Sequence, residues 1–274
     1  RVAEQTARGA RVWPQVQTRP IDISFNFSVP SLLFIRLPKW YALMRFNEPE
    51  QIMASLTDSS VRDALVAEAQ GMMPLWNRLV LRQVVSEANQ CLVGKTLQEI
   101  AELRGSDALN VMIDVSLEES LDAHFLSGDM GHNDDDLVAP LLKHPNVMVG
   151  ASDGGAHILS FATYGDTGYL LGHFVRDTAH LGLEAAVKKI TADPASLWGL
   201  GNRGMLREGF IADITVFDEA VVDRGVEYFV QDVPGDGYRY VRDAHGIHSV
   251  VIGGALAYDK VNGYRGAHRG QIIG

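Results

Sequence analysis

The segment NVMVGASDGG, residues 146–155, combines a short apolar run with glycines and polar residues, and it is the most informative part of the chain about its architecture. An apolar strand predicted over residues 147–149 runs directly into small residues and a polar cluster, as at a strand that ends in a loop. ARVWPQV (10–16) is a second predicted strand, and it follows a helix predicted over residues 1–8. A helix followed by a strand is typical of an α/β fold.

The region between these strands, residues 30–146, is expected to be mostly helical. TDSSVRDALVAEAQG (57–71) has polar cap residues, apolar residues at helical spacing and a closing glycine. TLQEIAELRG (96–105) has the threonine and glutamate of a capping box. NDDDLVAPLLKHP (133–145) begins with acidic residues, which are favourable at a helix N-terminus.

The C-terminal part changes from helical to β character at about residue 206. Helices are predicted over residues 166–182 and 183–200. GIHSVVIGGALAYD (246–259) consists of two β-rich runs around a Gly-Gly pair, which predicts a hairpin.

The composition excludes several classes of protein. The 274 residues carry a net charge of −10, which argues against binding nucleic acid or an anionic membrane. Apolar residues make up 46% and charged residues 21%, as in a globular chain. The single cysteine, Cys91, excludes an internal disulfide and favours a reducing compartment, so we expect a cytoplasmic location.

The segment GASDG (150–154) has three interpretations from its pattern alone. It fits a nucleophile elbow with Ser152 as the nucleophile. It also fits a carboxylate, Asp153, at the end of a barrel strand, where the side chain acts as metal ligand or general base. The third interpretation is a plain turn in which Asp153 caps a helix. His157 is either a residue near the substrate or metal-bound water, or a turn histidine.

Other motifs do not build a complete site. VGKT (93–96) lacks the glycine that a phosphate loop needs, since Asn89 occupies its position. The sequence contains no H-x-H and no HExxH, and its first histidine is His124.

Several stretches, in order, resemble the amidohydrolase superfamily, specifically its D-aminoacylase (N-acyl-D-amino-acid deacylase) branch. The block GNRGMLREGFIADITVFD (201–218) is characteristic of metal-dependent amidohydrolases, and SDGGAH (152–157) is characteristic of the D-aminoacylase branch. The stretches are GKTLQEIAELRGSDALNVMIDV (94–115), HPNVMVGASDGGAH (144–157), LGHFVRD (171–177), ITADPASLWGLGNRGMLREGFIADITVFD (190–218) and GIHSVVIGGALAY (246–258).

The resemblance implies an α/β fold that forms the C-terminal part of a (β/α)₈ barrel hydrolase. WPQVQTRP (13–20) would be strand 7, and the strand before Asp153 would be strand 8. Residues 1–204 would belong to the barrel, with the helical insertion at about 30–146. Residues 205–274 would form part of a small β-sandwich domain and a C-terminal tail.

The resemblance also implies the reaction, the hydrolysis of amide C–N bonds in N-acyl amino acids. In that family a divalent metal, one or two ions and usually Zn²⁺, binds water and polarises the amide carbonyl. Asp153 matches the strand-8 aspartate, which ligates metal, takes the water's proton and passes it to the leaving amine. His157 matches a family histidine. Arg19, at the end of strand 7, could hold a substrate carboxylate or anchor its loop.

The sequence departs from the family in lacking the H-x-H pair and the other early metal ligands. We expect those ligands upstream of residue 1, and a requirement for an N-terminal half or another chain to complete the barrel and sandwich. Two alternatives stay open. One is a serine hydrolase that uses Ser152, and the other is a fragment that is inactive alone.

Overall fold

The described residues of this protein form two hydrophobic cores, one within residues 23–125 and one at the strand pair that contains residues 15–16 and 148–149. The computed structural model describes residues 1–128, 130–150, 154–160, 162, 164–235, 237–266 and 270–273. The α-helices are α1 (Val2–Ala7), α2 (Pro38–Phe46), α3 (Pro49–Thr57), α4 (Ser59–Ala69), α5 (Met73–Arg78), α6 (Leu97–Arg104), α7 (Ala108–Glu118), α8 (Asp135–Lys143), α9 (Asp166–Tyr169), α10 (Leu183–Ile190) and α11 (Ala192–Leu197). A π-helix over Leu170–Asp177 continues α9.

The strands form small sheets. β1 pairs with β5 in parallel, β4 lies between β2 and β3, β7 pairs with β10, β8 pairs with β9, and β6, β11, β12 and β13 form a four-stranded sheet. The strands are β1 (Gln15–Val16), β2 (Ile23–Phe25), β3 (Val80–Gln83), β4 (His124–Ser127), β5 (Met148–Val149), β6 (Ile214–Phe217), β7 (Asp223–Arg224), β8 (Tyr228–Val233), β9 (Gly237–Val241), β10 (Ala244–His245), β11 (Ile247–Ile252), β12 (Ala255–Asp259) and β13 (Gly263–Tyr264).

Local sequence signals set several of these boundaries as predicted. At the start of α6, Thr96 and Glu99 form the reciprocal capping box, and Gly105 ends the helix with φ 65°. Asp134 caps α8 by accepting a hydrogen bond from the backbone N–H of Leu137. Strands β11 and β12 pair in an antiparallel hairpin around Gly253 and Gly254, both with positive φ.

The middle of the chain differs from the sequence prediction, because it contains an antiparallel sheet as well as helices. β3 and β4 lie inside the region predicted to be helical, and β2 joins them from residues 23–25. The strands have three or four residues each, too few for a periodic pattern to be recognised. Helices α2 to α7 lie between β2 and β4 in the sequence. The sheet and these helices contribute to one hydrophobic core within residues 23–125.

Aromatic side chains dominate that core. Phe34 stacks on Trp40 and Trp76, with ring centroids 5.1 and 5.5 Å apart. Phe25 packs edge-on against Phe34 and also contacts Phe125 of β4. These rings are fully buried, and each contributes a large apolar area removed from water. The sheet and the helices therefore share one continuous interior.

A second core surrounds the parallel strand pair. It joins β1, α8, the π-helix and α10, and reaches Val222 before β7. Gly168 of α9 allows the backbone of β7 to approach closely, since a Cβ there would lie 2.8 Å from the carbonyl carbon of Asp223. Across the described residues, no helix combines the length and apolar character needed to cross a membrane.

Candidate active site

Strands β1 and β5 pair in parallel, and the sequence predicts functional residues after the C-terminal end of each strand. The backbone N–H of Met148 donates to Pro14 O at 2.9 Å, and the N–H of Gly150 donates to Val16 O at 2.7 Å. Parallel strands end at the same edge, so the residues after Val16 and after Val149 leave the sheet side by side. Ser152 and Asp153 follow Gly150 in the chain and lie outside the described residues.

Gly150 directly follows β5 and lies close to β1. A Cβ at this position would lie 3.0 Å from the Cβ of Gln15 and 3.4 Å from the backbone of Val16. The adjacent strand therefore leaves little room for a side chain at the position that directly follows β5.

Arg19 follows β1 and is 3% exposed. Its Nε lies 3.3 Å from an Oδ of Asp166, and its Nη1 lies 3.2 Å from Asp22 Oδ1. The same Nη1 donates to Pro20 O at 3.1 Å. Protein carboxylates therefore hold this guanidinium, as expected of a loop anchor, and its role in binding a substrate carboxylate stays a prediction.

The loop after β1 is also tied to the start of α9. The hydroxyl of Thr18 donates to Asp166 O at 2.7 Å, and Asp166 is itself 4% exposed. Arg19 and Thr18 both contact this aspartate, so these contacts connect α9 to the end of β1.

Asp22 extends this arrangement into the C-terminal strands. One carboxylate oxygen of Asp22 lies 2.9 Å from Arg242 Nη2 and 3.3 Å from Arg224 Nη1. Arg242 also contacts Glu227 at 3.3 Å, and Glu227 lies 3.0 Å from Arg82 of β3. The result is a largely buried network of alternating charges that joins β1, β3, β7 and the β8–β9 hairpin.

Burial also changes the electrostatics of this network. Desolvation lowers the pKa of Arg224, repulsion from Arg242 lowers it further, and the attraction of Asp22 opposes both effects. The guanidinium of Arg224 also lies over the ring of Tyr169, 4.8 Å from its centroid. This cation–π contact stabilises a charge that has lost much of its water.

His157 lies on the loop that follows Asp153, and its side chain is exposed. Its φ is 50°, the left-handed region, and its carbonyl accepts a hydrogen bond from the N–H of Ser160 at 2.8 Å. The backbone of His157 therefore forms a turn. The family role implied for its side chain stays a prediction.

A metal site requires several His, Cys, Asp or Glu side chains close together. Among the residues that the structure describes, no group of three or more of these side chains could hold a metal ion. The predicted ligand Asp153 lies outside them. The described side chains therefore do not form a metal site by themselves.

Sequence reasoning missed the residues that organise this region. Asp22, Asp166 and Arg242 are buried charged residues at positions with no local motif. His124 and Tyr240 form a buried pair, with Nδ1 and Oη 2.6 Å apart. An acidic residue just before the short strand ISF, as in RPIDISF, is the kind of signal that could have pointed to Asp22.

Comparison with known proteins identifies the family to which this chain belongs. The profile of the amidohydrolase family matches residues 41–258, more than half of the chain. The chain therefore belongs to the amidohydrolase family.

Particular relatives narrow the comparison to deacylases. The D-aminoacylase of Alcaligenes xylosoxydans xylosoxydans is 31% identical over 184 residues, covering 66% of this chain and 34% of the relative. The N-acyl-D-glutamate deacylase of the same organism is 38% identical over 135 residues, covering 48% and 26%. A crystal structure of D-aminoacylase is 30% identical, covering 72% of this chain and 38% of that one, with a TM-score of 0.41. The chain spans between about a quarter and a third of the length of the curated relatives it matches.

Proposed function

We propose that this chain forms part of an amide hydrolase that removes the acyl group from N-acyl-D-amino acids. The observation that carries the proposal is the 31% identity to a D-aminoacylase over 184 residues, within an amidohydrolase match over residues 41–258. The similarity to an N-acyl-D-glutamate deacylase supports the same class of substrate, a small N-acylated amino acid.

The architecture proposed for this activity is a (β/α)₈ barrel in which β1 and β5 are strands 7 and 8. Their parallel register, Gln15 opposite Met148 and Val16 opposite Val149, supports this assignment. In such barrels the active site lies at the C-terminal ends of the strands. We further propose that residues 1–204 belong to the barrel, with its insertion, and residues 205–274 to a β-domain.

Asp153 is the residue to which we assign the proton transfer. In this proposal its carboxylate takes a proton from the attacking water and later gives it to the leaving amine, which breaks the C–N bond. A bound divalent metal would supply acidification of that water. The described side chains contain no ligand set, so we place its other ligands on additional polypeptide.

The strand pair supports the proposal of additional polypeptide. Among the described residues, β1 and β5 form a sheet of two strands. A parallel sheet is normally covered on both faces, and a barrel closes only when each strand has two neighbours. We propose that an N-terminal half or another chain supplies the remaining strands.

The test measures amine release from N-acetyl-D-leucine and its L enantiomer. The purified 274-residue chain is assayed with zinc, alone and after mixing with the N-terminal two-thirds of the Alcaligenes D-aminoacylase. We expect hydrolysis of the D enantiomer in the mixture and its loss on adding a chelator. The D-aminoacylase portion alone is the matched control.

Two results would contradict the proposal. One is the absence of hydrolysis in every mixture that contains zinc. The other is chelator-resistant hydrolysis in which a fluorophosphonate labels Ser152 and Ser152→Ala abolishes both labelling and turnover, because this result identifies a serine hydrolase.

A further inference from the structure

The loop that follows Asp153 is attached through its backbone to two distant strands. The carbonyl of Ile158 accepts a hydrogen bond from the N–H of Tyr240 at 2.9 Å. The carbonyl of Ser160 accepts one from the N–H of Ser24 at 2.7 Å. The loop position therefore depends on where β9 and β2 place these two amides.

Tyr240 is itself fixed by a buried side-chain contact. It is 3% exposed, and its hydroxyl lies 2.6 Å from Nδ1 of His124, which is 1% exposed. Burial raises the pKa of Tyr240 well above its ordinary value, so the phenol stays protonated. The hydroxyl can then donate to Nδ1, and the other ring nitrogen of His124, Nε2, faces Asp122 at 3.3 Å.

The rest of the β8–β9 hairpin is held against the same sheet. The ring of Phe229 packs on His124, with centroids 4.4 Å apart. The N–H of Phe229 donates to the side-chain oxygen of Gln83 at 3.2 Å, and Glu227 pairs with Arg82 at 3.0 Å. The hairpin is thus attached to β3 and β4 through a ring contact, a hydrogen bond and an ion pair.

We propose that Tyr240 is a positioning residue for the active site. Its hydroxyl anchors β9 to His124, and its backbone N–H holds the loop that contains Ile158, so the hairpin sets the position of the chain that follows Asp153. The effect on catalysis rests on the proposed function of Asp153. The effect on the loop does not.

Hydrogen exchange of the purified 274-residue chain tests the effect on the loop. Tyr240→Phe removes the hydroxyl and keeps the ring and the backbone N–H. We expect the protection of the Tyr240 and Ser24 amides to fall about tenfold, with no change in the core amides of α7. His124→Leu should give the same loss, and the double variant should lose no more than either single variant.

Tyr228→Phe is the matched control, because Tyr228 lies on β8 of the same hairpin and its hydroxyl contacts Asp243 at 3.3 Å. It should leave the loop amides unchanged. Unchanged protection of the loop amides in Tyr240→Phe would overturn the proposal. A uniform loss across all amides would also overturn it, because that pattern indicates a role in global stability alone.

Steady-state kinetics then distinguish a failure of this inference from a failure of the proposed function. In a mixture that hydrolyses N-acetyl-D-leucine, Tyr240→Phe should lower kcat about tenfold with KM unchanged, since a displaced loop affects the reacting groups. An unchanged kcat together with reduced loop protection would overturn the positioning role. If no mixture is active, the proposed function fails, and the exchange experiment still decides whether Tyr240 holds the loop.

Discussion

Asp22 and Arg242 are 220 residues apart in the sequence, and their side chains meet in a buried ion pair with Nη2 2.9 Å from Oδ2. Both side chains are less than a tenth exposed. Asp22 also pairs with Arg19 after β1, so one carboxylate connects the loop at the strand pair to the C-terminal strands. This relationship makes the network sensitive to a single substitution.

Asp22→Asn should therefore be strongly destabilising. The substitution leaves Arg19 and Arg242 without a shared counter-charge in a buried region, and we expect the free energy of unfolding to fall by about 3–5 kcal/mol. Urea unfolding at pH 7 measures the change. Asp232→Asn is the control, because the exposed pair of Asp232 and Arg239 should contribute less than about 1 kcal/mol. Equal effects of both substitutions would contradict the stabilising role of the buried network.

Glu119 should control part of the acid stability. Burial raises its pKa, but hydrogen bonds from the side chains of Ser86 and Asn89 and the backbone of Ser86 and Val85 outweigh burial and lower it to about 2. A lowered carboxyl pKa stabilises the fold above the ordinary value of 4.5, and this stability is lost as the pH falls toward 2. The shift corresponds to roughly 3 kcal/mol.

We expect Glu119→Gln to lower the free energy of unfolding by roughly 3 kcal/mol at pH 7 and to have a much smaller effect near pH 2. Unfolding curves at several pH values between 7 and 2 measure both quantities. Glu118→Gln, at the more exposed neighbour that pairs with Arg104, should cost less than about 1 kcal/mol. A cost for Glu119→Gln that does not depend on pH would rule out this explanation.

Gly168→Ala should destabilise the contact between α9 and β7. The added Cβ would lie 2.8 Å from the carbonyl carbon and 3.0 Å from the oxygen of Asp223, and backbone atoms cannot move aside as a flexible side chain can. We expect a cost of about 1–3 kcal/mol in thermal or urea unfolding. Gly71→Ala is the control, since no heavy atom lies within 4 Å of its Cβ position. A neutral Gly168→Ala variant would show that the two elements can separate without cost.

Asp153→Asn should remove the proton transfer that we propose. We expect turnover of N-acetyl-D-leucine to fall by about 10³-fold, within the range usual for the loss of a general acid–base group. Thermal unfolding should remain within about 0.5 kcal/mol of the unsubstituted chain if the residue serves chemistry alone. Turnover similar to that of the unsubstituted chain would exclude Asp153 as the proton-transfer group.

Features that depend on neighbouring residues could be predicted from the sequence, whereas features that depend on contacts between distant residues could not. Sequence reasoning predicted the capped start of α6 at Thr96 and the hairpin at Gly253 and Gly254, which depend on neighbouring residues. It missed β3 and β4, because their pairing joins segments about forty residues apart and leaves no periodic pattern in four residues. It placed Arg19 at the end of a strand and left its two roles open, since its partner Asp166 lies 147 residues further along the chain.

The helix caps, the hairpin turn and the membership of the amidohydrolase family can be predicted from the sequence, because each of these depends on contiguous residues. Which charges meet depends on the tertiary structure. The network of Arg19, Asp22 and Arg242 and the contact between His124 and Tyr240 exist because separate segments bury polar groups together, and each buried group then requires a partner. No local pattern specifies that partner, since the pairing depends on how distant segments pack.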